Sequence, residues 1–512
     1  MTYIQTSAKE DKNKHKLMTS GFILILSLLI IGCQHNKKPA SNYTSYAETV
    51  QIQNEVTLAY ERGIIALPMN RASENKKTIN VEFYRFKKEG QETAQDIPPL
   101  FILKGGPGFE GLGPSLNSPW HYENSIRPYA QITDVVVVGQ RGFGTSFDTH
   151  CEDSEAVPVE QIFDFDAQYD ALVKALEKCR IKWEKADVDL EGFNVKEAAA
   201  DVDAIAQALG YPKIQLLGAS FGSHWGMTVI KYFPNRVARA TFSALEGPDH
   251  SYDRPQGMLN TYQRIAATAE ASEQFKDLIP EQGLIKAFQA LIQSADKNPI
   301  PFDFKVPNSD QVIAVNINGD HLRELIGGYS QAPSFRHRMV DWPSDMLSLL
   351  NGDFQGALTH LYQTGLSTDV RTAAFFHYDC GSGVSEQNGK IIRNDPAAST
   401  VGKTWQFYDI SCKTWDADLG KEFRQALNSD IPTVLIHGNW DMSTPYENAA
   451  EVRAMFSNHK FIHIEQGSHG SLLDAVVESP GFEAKLHTWM RTGQFDHLPE
   501  RVEFPPLRWR VR

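Results

Sequence analysis

The feature that most limits how this chain can fold is a five-residue turn. The strand-like run Ile214–Gly218 enters Gly218-Ala219-Ser220-Phe221-Gly222, and a helix-like stretch His224–Phe233 follows. G-x-S-x-G between a strand and a helix forces a tight reversal: glycines on either side let the backbone turn, and the Ser220 hydroxyl is lifted above the sheet. The plainer alternative is a serine that caps the helix.

A hydroxyl is a poor nucleophile until a base takes its proton and a third group orients that base. Candidates for both follow later strands. The strand-like run Thr433–Gly438 leads into Asn439-Trp440-Asp441, and Phe461–Gln466 leads into Gly467-Ser468-His469-Gly470. Each candidate lies just past the carboxyl end of its strand, where sheets of this kind gather their chemistry. His437 and His463 sit within strands and read as packed or hydrogen-bonded core residues, and Asp430 reads as a surface turn. Upstream, Leu100–Leu103 ends in Lys104-Gly105-Gly106-Pro107-Gly108. The tetrahedral intermediates of acyl transfer carry an oxyanion that needs two N–H donors, and Gly106 and Phe221 are the candidates; Gly105 is an alternative to Gly106.

The wider pattern predicts an α/β fold. Short β-branched runs at Ile79–Phe86, Leu100–Leu103, Val135–Gly139, Ile214–Gly218, Ala238–Phe242, Thr433–Gly438 and Phe461–Gln466 alternate with helical stretches such as Val195–Leu209 and Phe482–Met490. Such alternation lays a mostly parallel sheet between helices on both faces. From 247 to 430 the alternation fades into helical stretches (Leu284–Ile292, His321–Ile326, Met346–Tyr362), which predicts an inserted helical cap between a first core half, 51–246, and a second, 431–512.

Three segments, Gly105–Gly108, Gln140-Arg141-Gly142-Phe143-Gly144-Thr145-Ser146 and Gly218–Gly222, resemble the α/β-hydrolase serine aminopeptidases of the prolyl and tripeptidyl aminopeptidase group. The order Ser220, Asp441, His469 is the chain order of those enzymes. The resemblance implies the α/β-hydrolase fold with a cap, a serine exopeptidase that releases amino-terminal residues from short peptides, no cofactor, and cap carboxylates that meet the substrate's free amine. Lys104 and Gly139 depart from the group's pattern, where His or Asn precedes the glycines and Asp precedes Gln-Arg-Gly. No cap motif transfers the amine-binding residues. Glu246, just beyond the strand Ala238–Phe242, is a candidate, with a solvated loop carboxylate as the plainer reading. A carboxylic-ester hydrolase would use the same three groups, and a non-catalytic binding protein on this fold would have no need of all three.

The amino terminus predicts export. Four lysines precede an apolar run from Phe22 to Ile31, too short to span a bilayer but of signal-peptide length. Ile30-Ile31-Gly32-Cys33 is similar to a bacterial lipobox. Residues 1–32 then read as a lipoprotein signal peptide, Cys33 as a lipidated anchor on the cell envelope, outer-membrane sorting as its fate, and 33–50 as a polar tether. In an oxidising compartment the other four cysteines are expected to pair locally, Cys151 with Cys179 and Cys380 with Cys412. A net charge of −13 gives no basic face for nucleic acid. Neither a CxxC pair nor a ligand-spaced His, Cys, Asp or Glu cluster points to a metal.

Overall fold

A computed structural model describes residues 43–51, 57–90, 97–108, 119–151, 157–328, 336–364 and 372–512. Cys33, the signal segment and the first part of the tether lie outside these residues.

Among the described residues, ten of twelve strands form one sheet. The strands are β1 Tyr43–Gln51, β2 Thr57–Pro68, β3 Thr78–Phe86, β4 Leu100–Leu103, β5 Val135–Val138, β6 Ile214–Ser220, β7 Val237–Leu245, β8 Ile300–Lys305, β9 Val312–Ile317, β10 Thr433–Gly438, β11 His459–Ile464 and β12 Arg501–Val502. The sheet order is β1-β2-β3-β5-β4-β6-β7-β10-β11-β12. Its pairs are antiparallel from β1 to β5 and parallel from there to β12. This is the mostly parallel sheet that the strand–helix alternation predicted, in the α/β-hydrolase arrangement that the resemblance implied.

The apolar strands are explained by burial on both faces. In β5, Val136 and Val138 pack into one core with the helices Val195–Ala208 and Phe221–Tyr232. Val135 and Val137 pack on the opposite face with Phe482, Leu486 and Trp489 of the helix Phe482–Thr492. Each such side chain contributes roughly 1.5–3 kcal/mol when fully buried.

Three local expectations change. Residues 43–50, expected in the tether, form β1, which pairs with β2 along its whole length. As an outer strand with exposed positions it carries polar residues where an inner strand would carry valine. The stretch Met346–Tyr362, expected as one helix, is two, Trp342–Leu350 and Gln355–Thr364, separated at Gly352, whose φ of 79° no helix continues through. The insertion between β7 and β10 is not wholly helical: β8 and β9 form a hairpin, with alternate residues Phe304, Ile313, Val315 and Ile317 facing the apolar core of the insertion.

That insertion serves two cores. Leu259, Ile265, Phe288 and Leu322 belong to a cluster centred on its own helices, whereas Ala373, Phe376, Tyr378 and Phe423 pack into the core of the sheet. Both expected disulfides are present: Cys151–Cys179 and Cys380–Cys412, with Cα atoms 5.1 Å and 5.4 Å apart. Such bonds persist in oxidising compartments, which points to a protein outside the cytoplasm. Among the described residues no helix is long and apolar enough to cross a membrane.

Candidate active site

Ser220 ends β6 and opens the helix Phe221–Tyr232 with φ 57° and ψ −133°. A non-glycine residue is held there only when its surroundings over-determine it. The two glycines do so. A Cβ at Gly218 would lie 2.2 Å from the Gly222 carbonyl oxygen, and one at Gly222 would lie 2.1 Å from that of Leu103. The second contact also draws the end of β4, and with it the Lys104–Gly106 loop, against the first turn of the helix. Phe221 N–H and Gly106 N–H therefore belong to two segments in contact beside Ser220.

Gln140 braces that loop. Its Nε2–H₂ donates to the carbonyls of Lys104 (3.1 Å) and Gly105 (2.9 Å), and its Oε1 accepts from Gly108 N–H (2.9 Å). The neighbouring Arg141, fully buried, pairs in bidentate fashion with Asp201 at 2.7 and 2.6 Å and donates to the carbonyls of Met69 and Gly192. The Gln-Arg-Gly segment is thus the rigid support under the loop after β4.

The structure brings Asp441 and His469 together. His469 Nδ1–H donates to Asp441 Oδ1 at 2.9 Å and lies 3.0 Å from Oδ2. Asp441 also accepts from Ser443 N–H (3.0 Å), Thr444 N–H (2.9 Å) and Thr444 Oγ–H (2.7 Å). Burial alone would push the Asp441 carboxyl up. The facing His469 and these donors outweigh it, and the group titrates below its ordinary value. For His469 burial pulls down, but the charge and hydrogen bond of Asp441 raise the imidazole above its ordinary value, and Asp253 acts in the same direction. With Nδ1 committed to Asp441, Nε2 is the atom left to take a proton. The acid and base loops are tied directly: Gln466 N–H donates to Asn439 Oδ1 (2.6 Å), and Trp440 N–H to the Gly467 carbonyl (2.9 Å).

His437 is the core residue that its position in a strand suggested. Its Nδ1 accepts from Leu245 N–H and its Nε2–H donates to the Thr444 carbonyl, both at 2.9 Å. His463 is held by the Tyr446 hydroxyl (2.8 Å) and Glu465 (3.0 Å).

Residues 98–279 match the alpha/beta hydrolase fold family, and residues 397–501 match the TAP-like protein family. The chain is 23% identical over 469 residues to the tripeptidyl aminopeptidase of Streptomyces lividans, covering 85% of this chain and 82% of that protein. It is also 23% identical over 471 residues to the tripeptidyl aminopeptidase of Streptomyces coelicolor, covering 85% and 81%.

The chain has the α/β-hydrolase fold and is similar to tripeptidyl aminopeptidases over most of its length.

Among solved structures, the bromoperoxidase of Bacillus anthracis aligns with 84% of this α/β-hydrolase and 99% of its own chain, at 13% identity and a TM-score of 0.33, too loose a likeness to argue from.

In this hydrolase Glu246 follows β7 and is only partly exposed. Burial pushes its carboxyl well above the ordinary range, and the carboxylates of Asp379, Asp253 and Asp441 push it the same way. Asp253 is raised to about 7, first by burial and then by Asp441. It lines a recess of about 340 Å³ between the insertion and the helix Phe165–Lys185, together with Glu324, Tyr169 and Tyr408. Neither Asp253 nor Asp379 was evident from the sequence. Asp253 shares the segment after β7 with Glu246, and that position was its one signal; Asp379 comes from the helix Ala373–Ser382, and only the packing of the insertion brings it near. Among the described residues no group of His, Cys, Asp and Glu is placed to hold a metal ion.

Proposed function

We propose that this protein is a serine aminopeptidase that releases amino-terminal residues from short peptides. The observation that carries the reading is the acidic ground beside the Asp441–His469 pair, where the carboxylates of Asp379, Asp253 and Asp441 all act on the partly buried Glu246, and Asp441 acts on the Asp253 that lines the adjoining recess. A carboxyl held up by burial and by neighbouring carboxylates is the complement of a cation, because an ammonium group beside it favours its ionised form. A substrate anchored there by its terminal amine presents a peptide bond close to its amino end to Ser220.

In this mechanism Ser220 Oγ attacks the scissile carbonyl carbon while its proton passes to His469 Nε2. The Phe221 and Gly106 N–H groups meet the oxyanion. His469 then gives the proton to the departing amine, the C–N bond breaks, and an acyl ester is left on Ser220. Water attacks that ester, with His469 as base, to release the carboxylate product and restore the hydroxyl. Throughout, Asp441 holds the imidazole orientation and offsets its positive charge. The family likeness to tripeptidyl aminopeptidases supports three residues as the unit released.

Reporter amides of one, two and three residues, each with a free and an N-acetylated terminus, test this alongside simple esters. The free-amine tripeptide is expected to react fastest, and acetylation to lower kcat/KM on the order of a hundred-fold. Equal rates on free and blocked peptides, or far faster turnover of esters, would replace the reading with that of an ester hydrolase.

Lipidation of Cys33 belongs to the same proposal: a substrate of short peptides suits an enzyme held at the cell envelope. Fatty-acid label and membrane fractionation are expected for the native chain and lost in Cys33→Ser. Label retained by that variant excludes the anchor.

A further inference from the structure

The loop that carries the acid takes its packing from the insertion. β10 ends at Gly438, and Asp441 follows in a loop whose flanking side chains, Trp440 and Met442, are both buried in the insertion's apolar cluster. The helix Pro255–Glu270 holds the same loop by its backbone. Thr261 Oγ–H donates to the Asp441 carbonyl and Arg264 Nη1–H to the Asn439 carbonyl, both at 3.1 Å. Trp440 is the handle of this loop: its N–H is bonded to Gly467 in the loop of His469, so a movement of its indole reaches acid and base together.

That indole is met by a segment from elsewhere in the chain. Residues 503–512 leave β12 without regular structure and run onto the insertion. Trp509, buried, brings its ring centroid to 6.1 Å from that of Trp440 and 6.4 Å from that of Phe275. Its backbone is seated by one side chain: Trp509 N–H donates to Gln274 Oε1 (3.0 Å), and Gln274 Nε2–H₂ donates to the Trp509 carbonyl (2.8 Å). The next residue is held as firmly, with Arg510 N–H on the Val340 carbonyl (2.9 Å) and the Arg510 and Arg512 guanidinium groups on the buried Asp341 (2.9 and 2.7 Å). Arg336 joins the start of the segment to the base loop, donating to the Pro505 carbonyl (2.6 Å) and to Gln466 Oε1 (3.2 Å).

We propose that Trp509 is a positioning residue of the catalytic site: through the Trp440 indole it fixes the loop that holds Asp441 against His469. Closely packed side chains pass a displacement on to their neighbours. A catalytic group misplaced by about 1 Å costs on the order of a hundred-fold in rate. The role concerns the acid and base alone, so it holds for whatever acyl substrate Ser220 takes and goes beyond the aminopeptidase reading.

The test is the titration of the His469 imidazole, followed by NMR on histidine-labelled protein in the native enzyme, Trp509→Ala, Trp509→Phe and Asp441→Asn. The His469 signal is the one missing from His469→Gln. The charged and titratable groups around this imidazole are Asp441, Asp253, His437 and Lys104, and of these Asp441 alone lies on the loop under Trp509. Asp441→Asn is expected to lower the midpoint, Trp509→Ala to lower it by at least about half as much, and Trp509→Phe to restore most of it. Turnover of a nitrophenyl ester, counted per site titrated with a fluorophosphonate, should show kcat lowered on the order of ten- to a hundred-fold in Trp509→Ala, with KM little changed.

A folded Trp509→Ala enzyme with a lowered Tm but the native His469 midpoint has lost packing alone, and overturns the proposal. Should Trp509→Ala not fold, Gln274→Ala decides, since Gln274 is exposed and its loss removes only the two bonds that seat Trp509. A midpoint moved downward in that variant supports the role, and an unmoved one ends it. The NMR readout needs no turnover, so a shifted midpoint in an enzyme that ignores free-amine peptides would fault the aminopeptidase reading alone.

Discussion

Ser220 and Glu246 are joined through one hydroxyl: Ser223 Oγ–H donates to the Ser220 carbonyl at 2.7 Å and accepts from Glu246 N–H at 2.9 Å. The strained turn and Glu246 therefore share a fully buried support. Replacing Ser223 by alanine leaves the Glu246 N–H without that acceptor, a loss of about 1–3 kcal/mol. Urea unfolding should show that loss, and kcat should fall about ten-fold. A variant with native stability and native kcat would show that the hydroxyl supports neither residue.

The Asp441–His469 pair predicts both a rate and a pH profile. Ser220→Ala should lose on the order of a million-fold in kcat, and Asp441→Asn about ten-thousand-fold, since the amide no longer selects the imidazole tautomer. His469 must be neutral to act, and its pKa is raised. Activity should therefore fall with decreasing pH through a midpoint above the reference value of about 6.5, and Asp441→Asn should move that midpoint down. A midpoint unmoved by the substitution would assign the titration to another group.

Gln140→Ala removes all three contacts that brace the loop bearing Gly106. A donor misplaced from the oxyanion costs about a hundred-fold in kcat, whereas ground-state binding is little affected. Steady-state kinetics should show kcat lowered and KM nearly constant; the reverse pattern would mean that the loop binds substrate without stabilising the oxyanion.

Asp253 links the site to stability. Its folded pKa, about 7, lies above the unfolded value near 3.9, so the folded chain binds more protons than the unfolded chain between these limits. Stability from this group is complete at low pH and is lost as pH rises towards 7. Asp253→Asn should match the native Tm near pH 4.5, exceed it by a few degrees at pH 8, and lose activity on free-amine peptides. Thermal melts at the two pH values check this, and a Tm gain of equal size at both would mean the carboxylate is not titrating as described.

Each disulfide closes a local loop, with sequence separations of 28 and 32 residues. Chain-entropy arguments give about 3–4 kcal/mol for loops of this length. Unfolding of Cys380→Ser/Cys412→Ser protein should show a loss of that order, and an unaffected midpoint would mean that the bond constrains nothing in the unfolded chain.

Legibility in the sequence followed burial. β4 and β10 have the bounds read from their residues because both are continuous apolar runs that end where the chain turns. β1 was hidden because an outer strand facing water on much of its length keeps polar residues, and polarity alone reads as a linker. The positions of Ser220, Asp441 and His469 were visible because each follows a legible strand. Asp379 was not, since nothing in a helix sequence announces which distant loop it packs beside, and Ser223 was hidden because a serine in a first helical turn has many common uses.

The pairing of β7 with β10 closes the sheet across every residue of the insertion, from Leu245 to Thr433. Strand pairs so distant in the chain form slowly, because the ends of a long loop must meet before any contact offsets the lost freedom. Until they meet, the turn at Ser220 can exist while Asp441 and His469 are still elsewhere. A newly made chain would then hold its hydroxyl without its base, and the three groups would come into register only once β7 and β10 have met.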